Sequence, residues 1–212
     1  MIEALEEVRR LYENSLADHG VTSKGVGWKD TISQFLRFEK LIQIFEGQKL
    51  NEPISINDLG CGYGAMFHYL DALPTIALAR YNGYDISDEM LRAARESVPD
   101  DRAAFINSPK LTLQADYTLV SGTFNVKLQA SNEEWTEYVK ESLVNLSDYS
   151  TRGFAFNLLT TYVDWKQENL FYADPFLFFD FCKRNISRYV SLLHDYPLYE
   201  WTIIVRKENA RE

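Results

Sequence analysis

Apolar residues in the first part of the chain recur at three- and four-residue steps, and after Pro53 they gather into short runs separated by helical stripes. Ile2, Leu5, Val8, Tyr12 and Leu16 predict a helix with one buried face, ended by His19 and Gly20. The glycines between Gly20 and Trp28 predict a loop. Ile32, Phe35, Leu36, Phe38, Leu41, Ile42 and Phe45 then predict a second helix, stopped at Gly47. From Pro53 onward, strands at 54–58, 79–85, 103–107, 116–121 and 153–158 alternate with helices at 63–72, 88–97 (Ser87 as cap) and around Trp135, Tyr138, Val139, Leu143 and Leu146. Such alternation predicts a mostly parallel sheet with helices on both faces. The last two strand-like runs, 189–194 and 200–206, are separated by only Asp195 to Tyr199, too short for a helical crossover, and must pair antiparallel.

Chemistry enters where the first strand of the alternating region ends. Asp58-Leu-Gly60-Cys61-Gly62-Tyr63-Gly64 places three alternating glycines between a β-branched run and a helix, the geometry that seats a nucleotide-type cofactor. Gly60 permits the bend, Gly62 lets the main chain approach a ligand, and Gly64 allows close packing as the helix begins. A second acid, Asp85, closes the next strand 25 residues after Gly60, where a carboxylate accepts both ribose hydroxyls of an adenosine. Read with Ala65 in the third place, the glycines also satisfy the dinucleotide pattern, so they do not by themselves separate NAD from S-adenosylmethionine. Asp58 suits the cationic amino end of a methionine and would repel a pyrophosphate. The closing hairpin also departs from the parallel strands of a dinucleotide fold.

On these residues the chain resembles the class I S-adenosylmethionine-dependent methyltransferases: Asp58-Leu-Gly60-Cys-Gly62-Tyr-Gly64 is similar to their first motif and Gly83-Tyr-Asp85-Ile-Ser-Asp-Glu-Met-Leu to their second, over roughly residues 53 to 206. The resemblance implies an α/β, Rossmann-like, mostly parallel seven-stranded sheet in the order 3-2-1-4-5-7-6, strand 7 antiparallel. A helical cap over residues 1–50 would precede a cofactor-binding domain over 51–212. It implies S-adenosylmethionine as cofactor. Asp58, Gly60 and Gly62 would hold the methionine part, with Cys61 and Tyr63 adjoining in the turn. Asp85, followed by Ile86, would hold the ribose, and Ser121 and Gly122 would line the methionine end. Many family members place an acid after strand 3 for the adenine amino group; here Asn107 or Ser108 stands instead.

Composition narrows the acceptor. A chain of 212 residues makes one domain the default, and a net charge of −9 with no Lys/Arg run argues against nucleic acid as partner. Two cysteines, Cys61 and Cys182, form no disulfide framework and lack the spacing of a metal site. No apolar run reaches membrane-spanning length and the N-terminus is acidic, so a cytoplasmic setting is expected.

Methyl transfer from a sulfonium needs in-line positioning, and a base only where the acceptor must lose a proton. His194, oriented by Asp195, is the candidate base, against the reading of a solvated turn histidine. His68 is expected on a helix in a surface or core role, and Cys61 as a small loop residue rather than a reactive thiol. Trp28, Gln34 and Arg37 are candidates for a lid, with Arg37 as partner of a cofactor or substrate carboxylate. The aromatic stretch from Asn169 to Phe179 either walls an acceptor pocket or, with Asp174 as cap and Pro175 at the first helical position, forms a core helix. The expected activity is methyl transfer to an oxygen or nitrogen of a small molecule. Protein side-chain methylation and a non-catalytic cofactor-binding subunit are the alternatives.

Overall fold

Strand β1 (Ile54–Leu59) lies at the centre of the computed structural model, which describes residues 2–27, 30–47 and 52–207. It pairs in parallel with β2 (Leu78–Asp85) on one side and β4 (Ala115–Val120) on the other. β3 (Ala103–Asn107) extends the sheet beyond β2, and β5 (Ser150–Thr160) beyond β4. β8 (Glu200–Arg206) runs antiparallel to both β5 and β7 (Tyr189–Leu193), completing the order β3-β2-β1-β4-β5-β8-β7. This is the expected topology. The addition is β6, Tyr172–Ala173, a two-residue strand parallel to the end of β5, drawn from the aromatic stretch that was read only as helix or pocket wall.

Alternation along the strands sorts side chains onto two faces. Phe154, Phe156 and Leu158 of β5, with Trp201, Ile203 and Val205 of β8, enter one core with Trp135, Val139, Leu143 and Leu146 of α5 (Asn132–Asp148) and Phe178 of α6 (Pro175–Asn185). Ala155 and Ile204 point the other way, toward Met66, Phe67 and Leu70 of α3 (Ala65–Asp71) and Phe38 and Leu41 of α2 (Thr31–Leu41). Helices α2, α4, α5 and α6 begin where a side chain satisfies amides that the first turn leaves without partners. Asp30 accepts from Ser33 N at 2.7 Å, Ser87 from Met90 N at 3.2 Å for α4 (Asp88–Ser97), and Ser131 forms a reciprocal capping box with Glu134. Asp174 caps α6 with Pro175 at its start, as the sequence predicts. The phenylalanines of this stretch divide: Phe171 and Phe178 are buried, and Phe176 is exposed.

The two N-terminal helices attach to different faces. Val8 of α1 (Ile2–His19) joins the core of α5 and α6, whereas α2 packs with α3 and passes into a short 3-10 turn, Ile42–Phe45, in place of the longer helix its apolar stripe suggests. The boundary expected near residue 50 lies outside the described residues, as does Trp28. No described helix is long and apolar enough to cross a membrane.

Candidate cofactor-binding site

The carboxyl ends of β1, β2 and β4 open onto a cleft roofed by α1 and α2. At its floor Gly60, Gly62 and Gly64 all take left-handed φ values, +78°, +52° and +85°. Gly60 N and Cys61 N donate to Tyr84 O at 2.7 and 2.9 Å, which folds the turn back over β2. A Cβ at Gly60 would stand 2.2 Å from Thr123 Oγ1, whose hydroxyl donates to Leu59 O at 2.7 Å, so a side chain there would displace the loop after β4. A Cβ at Gly62 would meet Val26 at 2.8 Å; the close approach made by this glycine is to the cap. Gly64 is the N-cap of α3, which therefore starts at Ala65, two residues later than the pattern suggests.

Two carboxylates face this turn. Asp58, 2% exposed, sits between Gly83 of β2 and Leu119 of β4, and its Oδ2 accepts a short hydrogen bond from the Tyr81 hydroxyl. Burial lifts its pKa from the ordinary 3.8 to about 7; the Tyr81 bond opposes the rise and the charge of Asp85 adds to it. Asp85 accepts from Gly62 N and Ser87 N, each at 3.0 Å, and is likewise raised by burial against the pull of those amides. Each carboxylate oxygen carries two acceptor sites, so Asp85 retains capacity for two hydroxyl donors. Burial and Asp85 together push the Tyr12 hydroxyl up to about 12. The cleft lining contains no Lys, Arg or His among the described residues. Such a surface favours a cationic ligand and repels a pyrophosphate.

The loop after β4 forms the opposite wall and is held at successive residues. Gly122 N donates to Asn157 Oδ1 at 2.8 Å, Trp135 Nε1 donates to Phe124 O at 2.8 Å, and Leu159 N donates to Asn125 Oδ1 at 3.1 Å. Ser121 lines the cleft, and its Oγ is shielded from solvent and lacks a hydrogen-bond partner among the described residues. A buried hydroxyl without a partner costs stability unless a ligand supplies one.

Of the residues singled out in the sequence, Asp58, Gly60, Cys61, Gly62, Tyr63, Asp85, Ile86, Ser108, Ser121 and Gly122 all line the cleft. Asn107 does not; its Nδ2 donates to Asp88 Oδ1 at 2.7 Å on the exposed side of β3. The His194–Asp195 pair is not formed. Asp195 accepts from Lys40 Nζ at 2.9 Å, and the exposed His194 ring packs 5.7 Å from that of Tyr162, outside the cleft lining. Arg37 is not directed at a cofactor or substrate carboxylate: its guanidinium grips Glu200, with Nε 2.9 Å from both carboxylate oxygens. Gln34 does reach the cleft, accepting from the Tyr63 hydroxyl at 3.2 Å. His68 is a surface residue within 3.0 Å of Ser97 Oγ. Cys61 is buried, and burial, then Asp85 and Asp58, push its thiol well above the usual range. Among the described residues no cluster of His, Cys, Asp and Glu is arranged to hold a metal ion.

Several contributors to the cleft carry no sequence signal of their own. Tyr81 precedes the second motif, Thr123 lies one residue past the predicted Ser121-Gly122 pair, and Leu5, Val8 and Tyr12 read only as the apolar face of an ordinary helix. The clue to Tyr81 was its spacing: it stands two residues before Gly83, hence on the same strand face as the residue paired with Asp58.

An open sheet in this order, with a glycine turn and two acids around a cation-favouring cleft, defines the fold of a class I methyltransferase. Residues 57–146 match the family model described as a methyltransferase domain. The chain is 48% identical over 159 residues to the Mycobacterium tuberculosis protein named "Putative methyltransferase Rv1506c", a match spanning 74% of this chain and 95% of that one. Its fold is similar to the magnesium protoporphyrin IX methyltransferase of Synechocystis PCC 6803 with bound S-adenosylhomocysteine (TM-score 0.67, 12% identity, covering 97% of this chain and 100% of that one). It is equally similar to DhpI in complex with S-adenosylhomocysteine (TM-score 0.67, 13% identity, covering 98% and 99%). The chain belongs to the class I S-adenosylmethionine-dependent methyltransferases.

Proposed function

We propose that the protein transfers the methyl group of S-adenosylmethionine to an oxygen or nitrogen atom of a small molecule that enters beneath α1 and α2. The observation that carries this reading is the roof of the cleft: Leu5, Val8, Tyr12, Val26, Gln34 and Phe38 cover part of it, leaving a concave, largely apolar space. A concave, largely apolar site favours a small acceptor over a polymer surface. The absence of Lys and Arg among the described lining residues weighs in the same direction, against a polyanionic substrate.

In this reading Asp58 and the Gly60–Gly62 turn hold the methionine part, Asp85 accepts the ribose hydroxyls, and Ile86 and Ser108 adjoin the adenine. Ser121, with its unpartnered hydroxyl, and Gly122 face the methionine end. The cofactor supplies a sulfonium-bound methyl group to a nucleophile placed in line with the carbon–sulfur bond. The protein's part is to orient that nucleophile and exclude water, which the cap residues do by closing over the cleft. Gln34, whose Oε1 accepts from the Tyr63 hydroxyl, is the polar side chain that α2 brings to the cleft.

Incubating the protein with methyl-labelled S-adenosylmethionine and a fractionated lysate tests the reading. Label in the small-molecule fraction is the expected result. Label confined to macromolecules replaces the small molecule with a protein side chain, and tight cofactor binding without transfer to any fraction points to a binding subunit.

A further inference from the structure

A chain of buried polar groups runs from the cap to the loop after β4. Glu200, 1% exposed, opens β8 at the carboxyl edge of the sheet. Arg37 of α2 donates to it through Nε and Nη2, while Arg37 Nη1 donates to Ser33 O at 2.7 Å. On its other side Glu200 accepts from Asn157 Nδ2, and Asn157 Oδ1 accepts from Gly122 N at 2.8 Å. The carboxamide can be seated in only one sense, since Gly122 N–H only donates and a carboxylate only accepts. Glu200 therefore fixes which end of Asn157 faces the cofactor loop.

We propose that Glu200 and Asn157 are positioning residues for the methyl donor: held by Arg37, they lock the Ser121–Gly122 peptide in the orientation that binds the methionine end, and so tie cofactor affinity to the seating of α2. This rests on the assignment of Ser121 and Gly122 to that end of the cofactor. Stability alone gives no reason for the arrangement, because apolar residues of similar volume commonly replace a buried ion pair without loss. Apolar residues could not present an oriented acceptor to Gly122 N–H. Gly122 takes a left-handed φ of +70° and neighbours the unpartnered Ser121 hydroxyl, so a peptide released from Asn157 would turn away a group facing the cleft.

Calorimetric titration with S-adenosylhomocysteine, run well below each variant's melting temperature, tests the proposal. Asn157→Ala and Glu200→Gln are each expected to weaken binding about tenfold, and the double variant no further than the weaker-binding single one, since both act along one path. Unchanged affinity with a lowered melting temperature, or losses that add, overturns it. Should Glu200→Gln fail to fold, the neutral pair Arg37→Met/Glu200→Gln gives the same readout. Asp85→Ala separates the underlying assignment from the relay. Lost binding there with unchanged binding in the relay variants overturns the relay alone. Retained binding in Asp85→Ala overturns the cofactor seat and the relay with it.

Discussion

Two regions around the cleft are built by different means. On the side of β1 and β2, backbone amides do most of the work: Gly60, Cys61, Gly62 and Ser87 point their N–H groups at Tyr84 O or Asp85, within one stretch of chain. On the side of the cap and the hairpin, side chains join distant elements: Arg37 and Glu200 lie 163 positions apart, Lys40 and Asp195 155. The first shapes the glycine turn and Asp85 through the main chain. The second ties α2 to the strands on the far side of the sheet through side chains. A cofactor seat made from the main chain tolerates drift in its surroundings, whereas a seat for the acceptor drifts with every side chain that forms it.

The backbone-built side still depends on the few positions that shape it, and those carry the largest expected effects. Asp85→Ala should lower S-adenosylmethionine affinity by on the order of 100-fold or more, since two charge-assisted hydrogen bonds to the ribose are lost, as titration calorimetry would show. Near-normal affinity would move the ribose elsewhere. Next in size, Gly60→Ala should cost about 2–4 kcal/mol in denaturant unfolding, because it combines a left-handed φ with a collision against Thr123. A loss of only a few tenths would mean that the loop after β4 yields easily.

Asp58 sharpens the comparison through pH. Its pKa in the folded chain is raised to about 7 from 3.8, so the folded state holds a proton that the unfolded chain has released over this window. The group's contribution to stability is full below pH 4 and is lost as pH rises through about 7, by about 2–4 kcal/mol. Asp58→Asn should therefore flatten that stretch of the stability profile and leave the ligand-free protein more stable at pH 8. It should also remove the rise in S-adenosylmethionine affinity between pH 6 and 8 that a cation drawing the proton off Asp58 produces. An unaltered affinity profile in the variant would count against Asp58 as the partner of the cationic end. The smallest effects belong to the hairpin. Lys40→Ala breaks a bond to an Asp195 that is 67% exposed and should cost at most about 1 kcal/mol. His194→Ala should change cofactor affinity less than about twofold.

The same division explains what could be read before the structure. The β1 and β2 motifs were legible because a left-handed turn accepts few residue types and because each acid stands at a fixed distance from the glycines. The hairpin was legible because five residues cannot carry a helical crossover. Arg37, Glu200 and Asn157 were not, since a charged residue on an amphipathic helix and a Glu at a strand start have the same local pattern whether they meet each other, a ligand or water. For Asp195, adjacency to His194 suggested a pair, but the fold brings Lys40 closer. Tyr12 was hidden for another reason: its place in an apolar stripe accounts for it fully, and only the docking of α1 over Asp85 shows what else it faces.

Cys61 gives the cleft a chemical hazard and its remedy. A sulfonium is an alkylating agent, and a thiolate beside one would take the methyl group meant for the acceptor. Only the deprotonated sulfur reacts in this way. Burial, reinforced by Asp85 and Asp58, keeps the proton on Cys61 at neutral pH, while its Sγ–H rests 3.6 Å from Gly62 O. The acids that face the cleft thus also hold the neighbouring thiol in its protonated, unreactive form.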